Sequence, residues 1–236
     1  MPLEGVRVVE LGSLIAGPYA AGLLAQFGAD VLKIEPPQDG DPLRRWRKLH
    51  DGTSLWWYGQ SRNKKSITLD RRSAAGQEIL RSLVAEADIV IENFRPGTLE
   101  KWGLGWEDLR AVNPTLAMVR VSGYGQTGPY KDRPGFAAIA ESMGGLRYVP
   151  GYPDRSPVRS GVSIGDTLAS LYGVIGALLA MHHPRANGSD GQFIDVALYE
   201  SVFAVMEIVG HDVSGQVLKA GKRSELHPAP PVGAGR

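Results

Sequence analysis

Residues 6–35 constrain the fold more than any other stretch. Residues 6–11 are a short apolar run, Gly12-Ser-Leu-Ile-Ala-Gly17-Pro18 makes a turn, residues 19–27 have helical composition, and Asp30-Val-Leu-Lys-Ile-Glu35 reads as a second strand. Strand, turn, helix, strand units of this kind join as right-handed crossovers in a parallel sheet. The pattern recurs. Residues 66–69 read as a third strand, and Ser73 is placed to cap a helix carrying Ile79, Leu80, Leu83 and Ala87 on one face. Residues 88–92 read as a fourth strand, 106–112 as a helix and 116–121 as a fifth strand. The alternation predicts an α/β fold with an open, doubly wound, mostly parallel sheet of Rossmann-like type. Further on, residues 123–132 read as a loop, 135–144 as a helix and 149–157 as a Pro/Gly connection. A long helix follows from Asp166 to about His183, then a strand at 193–197 and a helix at 198–209. From Gly215 the chain is polar and Pro-rich, so residues 1–212 are expected to form one large domain and 213–236 a polar tail.

Composition narrows the chemistry. Twenty-six basic against 25 acidic residues leave a formal charge of +1 over 236 residues, which gives no bulk attraction to nucleic acid or anionic lipid. With no cysteine, disulfides, thiolate metal sites and cysteine nucleophiles are excluded, and a reducing cytoplasm suits the chain. The first residues carry frequent charges and no apolar core of signal-peptide length, so a cytoplasmic protein is expected. The longest apolar stretch, residues 168–181, is shorter than the ~20 residues that span a bilayer and is read as a buried helix.

Asp166 is the residue on which function turns. It is a lone carboxylate at the start of a long apolar helical pattern, with Gly161 and Gly165 upstream and no further charge before His182. A helix N-terminus would hold that carboxylate ionised and fixed in direction, as a helix cap or as a nucleophile. The first turn lacks a nucleotide fingerprint, because Gly12 and Gly17 are five apart; the backbone N–H groups of Ile15 and Ala16 are its ligand-facing candidates. Arg62-Asn-Lys-Lys-Ser-Ile67 is a solvated loop or a phosphate contact. Glu92-Asn-Phe-Arg-Pro-Gly97 lies where the fourth strand ends, at the edge where open α/β sheets bind ligands. There Asn93 can hydrogen-bond, Phe94 can stack and Arg95 can pair. Gly123-Tyr-Gly-Gln-Thr-Gly-Pro129 leaves the fifth strand at the same edge and could be mobile over a ligand. No metal site is expected, since His182 and His183 point to different faces of a helix, and no Gly-x-Ser-x-Gly elbow marks a serine hydrolase.

Taken in order, these segments resemble the family III CoA-transferases, the group that contains formyl-CoA transferase, succinyl-CoA-dependent transferases and the related α-methylacyl-CoA racemases. The likeness runs from Leu3 to about Glu207. It rests on Leu3-Glu-Gly-Val-Arg-Val-Val-Glu-Leu, Ala16-Gly-Pro18, Gly28-Ala-Asp-Val-Leu-Lys-Ile-Glu35, Asn63-Lys-Lys-Ser-Ile67, Glu92-Asn-Phe-Arg-Pro-Gly97, Gly103-Leu-Gly105, Gly123-Tyr-Gly-Gln-Thr-Gly-Pro129 and Gly165-Asp166. The resemblance implies that Asp166 is the nucleophile, passing through an aspartyl anhydride and an aspartyl-CoA thioester, with no permanently bound cofactor and with CoA or acyl-CoA as substrate. It implies CoA contacts at Ile15, Ala16, Leu69, Asp70, Arg71, Arg72, Asn93, Phe94, Arg95 and Lys101, with Arg133 or Phe136 bordering the site. It also implies an interlocked homodimer, and partners limited to an acyl-CoA and a small carboxylic acid, with no nucleic acid or membrane.

Two departures stand out. Pro36-Pro37 stands where relatives often carry a basic residue after the second strand, so one phosphate contact is expected to be missing or supplied by Arg44 or Arg45, and the small second domain of the family is expected to be absent. Phe136 falls where the racemases carry a proton-shuttling histidine, which favours CoA transfer between carboxylic acids, with small dicarboxylates expected, over racemisation. The alternatives are a racemase-like isomerase, an inactive truncated fragment that only binds CoA, or a nucleotide-dependent oxidoreductase on the same sheet.

Overall fold

A computed structural model describes residues 1–150, 154–187 and 190–206. The expected tail at 213–236 lies outside the described residues, and the helix expected to reach residue 209 ends at Phe203, with 204–206 in a turn. In chain order the elements are β1 (Arg7–Glu10), α1 (Ala16–Gln26), β2 (Asp30–Glu35), β3 (Leu49–His50), β4 (Thr53–Ser54), α2 (Leu55–Gln60), β5 (Lys64–Thr68), α3 (Ala74–Ala85) and β6 (Ile89–Glu92). They continue as α4 (Trp106–Val112), β7 (Ala117–Ser122), α5 (Ala137–Met143), α6 (Ile164–Asn187), β8 (Gln192–Ala197) and α7 (Leu198–Phe203). Six strands form one sheet in the order β5-β2-β1-β6-β7-β8, every neighbouring pair parallel, while β3 and β4 make a separate antiparallel pair. Numbered along the chain within the large sheet alone, the order is 3-2-1-4-5-6. This is the doubly wound arrangement, and it reverses direction between β1 and β6.

Alternation along the central strands explains why both faces are covered. Val8, Ile89, Ile91, Ala117, Val119 and Val121 enter one core, with α1, α6 and α7 above them. Val9, Val90 and Met118 enter the opposite core, with Leu80 and Val84 of α3 and Leu109 of α4. Successive strand residues face opposite sides, so a strand buried on both faces reads as a continuous apolar run.

Helix α3 is capped as expected, Ser73 Oγ accepting from the Gly76 N–H at 3.1 Å. Its buried face is Gly76, Leu80 and Val84, whereas Ile79 is 48% exposed, so the expected stripe is rotated. The buried-helix reading of residues 168–181 holds for one face of α6. Ala169, Gly173, Ala177 and Ala180 pack inward, while Leu171, Tyr172, Ile175, Leu178 and Leu179 are exposed. By length and composition Ile164–His183 is long and apolar enough to cross a membrane, and its small-residue face is built into the core of this sheet. The segment between β2 and β5, with β3, β4 and α2, gave no periodic signal in the sequence.

Candidate active site

The reversal between β1 and β6 opens a crevice at the carboxyl ends of these two strands, and the chain invests heavily in its shape. Four groups clamp the turn 11–15. Asn93 is two-pronged, its Oδ1 accepting from the Ser13 N–H at 2.8 Å and its Nδ2 donating to the Ser13 carbonyl at 2.9 Å. Asp41 Oδ1 accepts from the Leu14 N–H at 3.0 Å, which holds Leu14 at φ +64°, a left-handed conformation unusual for leucine. Lys33 Nζ donates to the Gly12 carbonyl at 2.9 Å, and Arg71 to the Leu11 carbonyl at 3.0 Å.

Beneath this turn lies a buried charge cluster. Lys33 pairs with Glu10 and Asp41, each at 2.7 Å, and Lys64 pairs with the other oxygen of Glu10 at 2.7 Å while donating to the Pro18 carbonyl at 2.6 Å. Burial alone would lower the Lys33 ammonium, but the Glu10 and Asp41 carboxylates outweigh it and the group is raised. Lys64 is lowered, its burial only partly offset by Glu10. Lys64 is therefore neither a loop cation nor a phosphate contact.

The β6 corner is locked in the same manner. Glu92 is fully buried, accepts from the Phe94 N–H at 2.6 Å and pairs with buried Arg120, which also reaches Glu100. Burial pushes the Glu92 carboxyl up, and the Arg120 guanidinium opposes that push.

The resulting cleft has a volume of about 470 Å³. Of the residues expected at the site, it gathers Ile15 and Ala16 from the start of α1, Asn93, Phe94 and Arg95 from the β6 corner, Arg133 and Phe136 from the approach to α5, and Asp166 from α6. Leu69, Asp70, Arg71, Arg72 and Lys101 are not among its walls. Leu69 packs into the α3-side core, and Asp70 accepts from the Arg72 N–H. Arg71 turns inward to the Leu11 and Ile34 carbonyls, with Phe94 5.1 Å and Trp102 6.0 Å from its guanidinium. Arg44 is likewise committed, bonded through two nitrogens to Glu35 at 2.7 Å each and stacked 3.7 Å over Trp57, and Arg45 pairs with Asp39. The arginine of this segment that reaches the cleft is Arg47, beside Trp46. Neither was expected, and nor were Arg159 and Ser163; an arginine in an aperiodic loop carries no spacing signal. The loop after β7 is less free than expected, because the Gln126 N–H is held by both Asp195 oxygens at 3.0 and 2.9 Å.

Two close backbone approaches set the floor. Gly123 and Gly135 face each other so tightly that a Cβ on Gly123 would lie 2.6 Å from the Gly135 Cα, and this contact draws the α5 approach against the end of β7. A Cβ on Gly165 would lie 3.2 Å from the Ala137 carbonyl oxygen, so glycine there lets α6 start directly beside α5.

Asp166 sits in the first turn of α6, two residues inside its start and not at the cap position. Its carboxyl is raised from its ordinary value of 3.8 to about 6: burial is the largest cause, Glu141 adds to it and Arg159 opposes it. The expected effect of the helix N-terminus, at about 0.3–1 kcal/mol, is too small to offset burial. Glu141, on α5, is fully buried, with one oxygen 3.3 Å from Arg147 and the other without a hydrogen-bond partner. Near neutral pH, Asp166 is thus mostly ionised, poorly hydrated and in the wall of a cleft large enough for a substrate. Such a carboxylate can attack an electrophilic carbonyl. Among the described residues no cluster of three or more His, Asp or Glu is arranged to hold a metal.

The profile of CoA-transferase family III matches residues 3–233. The chain belongs to CoA-transferase family III. It is 51% identical to succinyl-CoA–D-citramalate CoA-transferase of Chloroflexus aurantiacus, across 96% of this chain and 59% of that protein. It is 40% identical to succinate–glutarate CoA-transferase of Agrobacterium fabrum, across 87% of this chain and 53% of that one. Among solved structures, a CAIB/BAIF family protein from Brucella suis superposes with a TM-score of 0.86 at 40% identity, over 91% of this chain and 57% of the other. The chain thus spans a little over half the length of these family III relatives.

Proposed function

We propose that this chain carries the CoA-binding and nucleophile-bearing part of an enzyme that moves CoA between dicarboxylic acids. The observation that carries the reading is the position of Asp166. A desolvated carboxylate stands in the wall of the switch-point cleft of a family III member, together with Ile15, Ala16 and the Asn93–Arg95 corner. The acids in the names of its relatives, citramalate, succinate and glutarate, all carry two carboxyl groups.

In this reading an Asp166 oxygen attacks the thioester carbonyl of the donor, the C–S bond breaks and CoA thiolate leaves, giving a mixed anhydride. The thiolate then attacks the aspartyl carbon, releasing the donor acid and forming an aspartyl-CoA thioester. The acceptor carboxylate displaces CoA from that thioester, and the thiolate returns to the acceptor acyl carbon, restoring free Asp166. Thioester and anhydride are similar in reactivity, so the site must chiefly hold geometry and exclude water. The clamped turn and the glycine-packed floor suit that task. A second copy of the chain in the working assembly belongs to the same proposal.

The test is to incubate the protein with succinyl-CoA and a panel of acids and follow new acyl-CoAs by mass spectrometry, with peptide mapping for an adduct on Asp166. We expect exchange and an Asp166 adduct, both lost in Asp166→Ala. Exchange that survives in Asp166→Ala, or no exchange and no adduct in the native chain, would overturn the proposal.

A further inference from the structure

We infer that Arg159 selects for dicarboxylates, its guanidinium receiving the far carboxylate of the acyl group held at Asp166. The inference rests on the transferase reading above and adds the residue that recognises the substrate class. Four arginines line the cleft. Arg133 lies over the Tyr130 ring at 4.2 Å and Arg47 over Trp56 at 5.0 Å; Arg95 is exposed at the β6 corner, on a different element from Asp166. Arg159 lies just before α6, on the cleft wall with Ser163 and Asp166. It is exposed, it forms no salt bridge among the described residues, and it is the cation whose charge acts on Asp166. A planar guanidinium with uncommitted N–H groups is suited to grip a carboxylate through two hydrogen bonds.

Charge conservation through the cycle makes the case sharper. In the free protein Arg159 faces the negative charge of Asp166. Acylation turns that carboxylate into a neutral anhydride or thioester, leaving the exposed guanidinium without its counter-charge across the cleft. A monocarboxylic acyl group leaves it so. A dicarboxylic acyl group brings its own far carboxylate, which replaces the charge that Asp166 has given up. Arg159 therefore favours dicarboxylic groups most strongly in the covalent states, where binding differences become rate differences.

The test uses the Asp166→Asn chain, which removes the same charge as acylation and blocks turnover. Calorimetric titration with succinyl-CoA and with butyryl-CoA, which matches it in chain length and lacks the far carboxylate, gives the preference. We expect succinyl-CoA to bind at least about tenfold more tightly. Adding Arg159→Gln should erase that preference while leaving butyryl-CoA binding unchanged, and Arg159→Lys should keep part of it. Equal binding of the two thioesters before Arg159 is changed, or a preference that survives Arg159→Gln, would overturn the inference. A preference that depends on Arg159 in a native chain that neither transfers CoA nor forms an adduct would sink the transferase reading and leave the recognition standing. Transfer that Arg159→Gln slows equally for succinyl and butyryl groups would do the reverse. Because Arg159 is exposed, the variants should keep the native circular dichroism spectrum.

Discussion

Asp166 is held where it is useful and where it destabilises the fold. Its raised carboxyl gives a direct kinetic expectation: kcat/KM should climb with pH, levelling off above about 6, because only the ionised form attacks. Glu141→Gln should move that midpoint down, since it removes the like charge that adds to burial. A pH–rate profile of the two proteins checks both statements. Stability runs the other way. The folded state binds the Asp166 proton more tightly than the unfolded chain does, so this stabilisation is complete below about pH 4 and is lost as pH rises through about 6. Asp166→Asn, which never ionises, should therefore be more stable than the native chain at pH 8, by about 3 kcal/mol, with most of the difference gone at pH 4. Urea titrations at the two pH values measure it. The sequence marked Asp166 as a lone carboxylate at a helix start, but not that it would be raised. That shift comes first from burial and then from Glu141, 25 residues away in sequence, and neither is a local signal.

At the scale of elements, the turn between β1 and α1 is shaped by groups from four other places in the chain. Lys33 is the central one, joining Glu10, Asp41 and the Gly12 carbonyl at a site closed to water. Lys33→Met should cost about 3–5 kcal/mol, because it leaves Asp41 buried without its cation and removes the donor from Gly12. Thermal melts would show the loss; a change below about 1 kcal/mol would mean that the cluster is not what holds the turn. Strands β1, β2 and β6 and helix α4 were legible because apolar runs and caps are local signals. Lys33 and Lys64 were not, since a lysine in a strand and a lysine in a cationic run look solvated until Glu10 is placed between them. The same holds for Arg71, Arg44 and Arg120, whose partners lie on other strands. Of the residues singled out in the sequence, the corner 93–95 and the turn at 15–16 line the cleft, whereas the side chains of Arg71 and Arg44 bond to the framework, and Arg47 and Arg159 join the walls only through the fold.

For the whole molecule, a doubly wound, mostly parallel sheet followed from alternation alone, but the balance of faces on α6 did not. Periodicity in an almost wholly apolar helix carries no sign of which side is core. The structure assigns the small residues inward, so Ala177→Leu should cost about 1–3 kcal/mol by overpacking against the sheet, while Leu179→Lys on the open side should stay within about 0.5 kcal/mol. Denaturant midpoints for the two variants decide between the faces, and the reverse ranking would place the helix the other way round.

Ser170 Oγ lies 2.7 Å from the Ala16 carbonyl and 2.7 Å from the Asp166 carbonyl, buried between α1 and α6, and its single proton is shared between the two. Residues 16 and 166 are far apart in the chain, yet this bridge leaves no slack between them. The bridge thus ties the first turn to the start of α6, so in the proposed transfer a substrate seated against the first turn would be held in register with the Asp166 carboxylate.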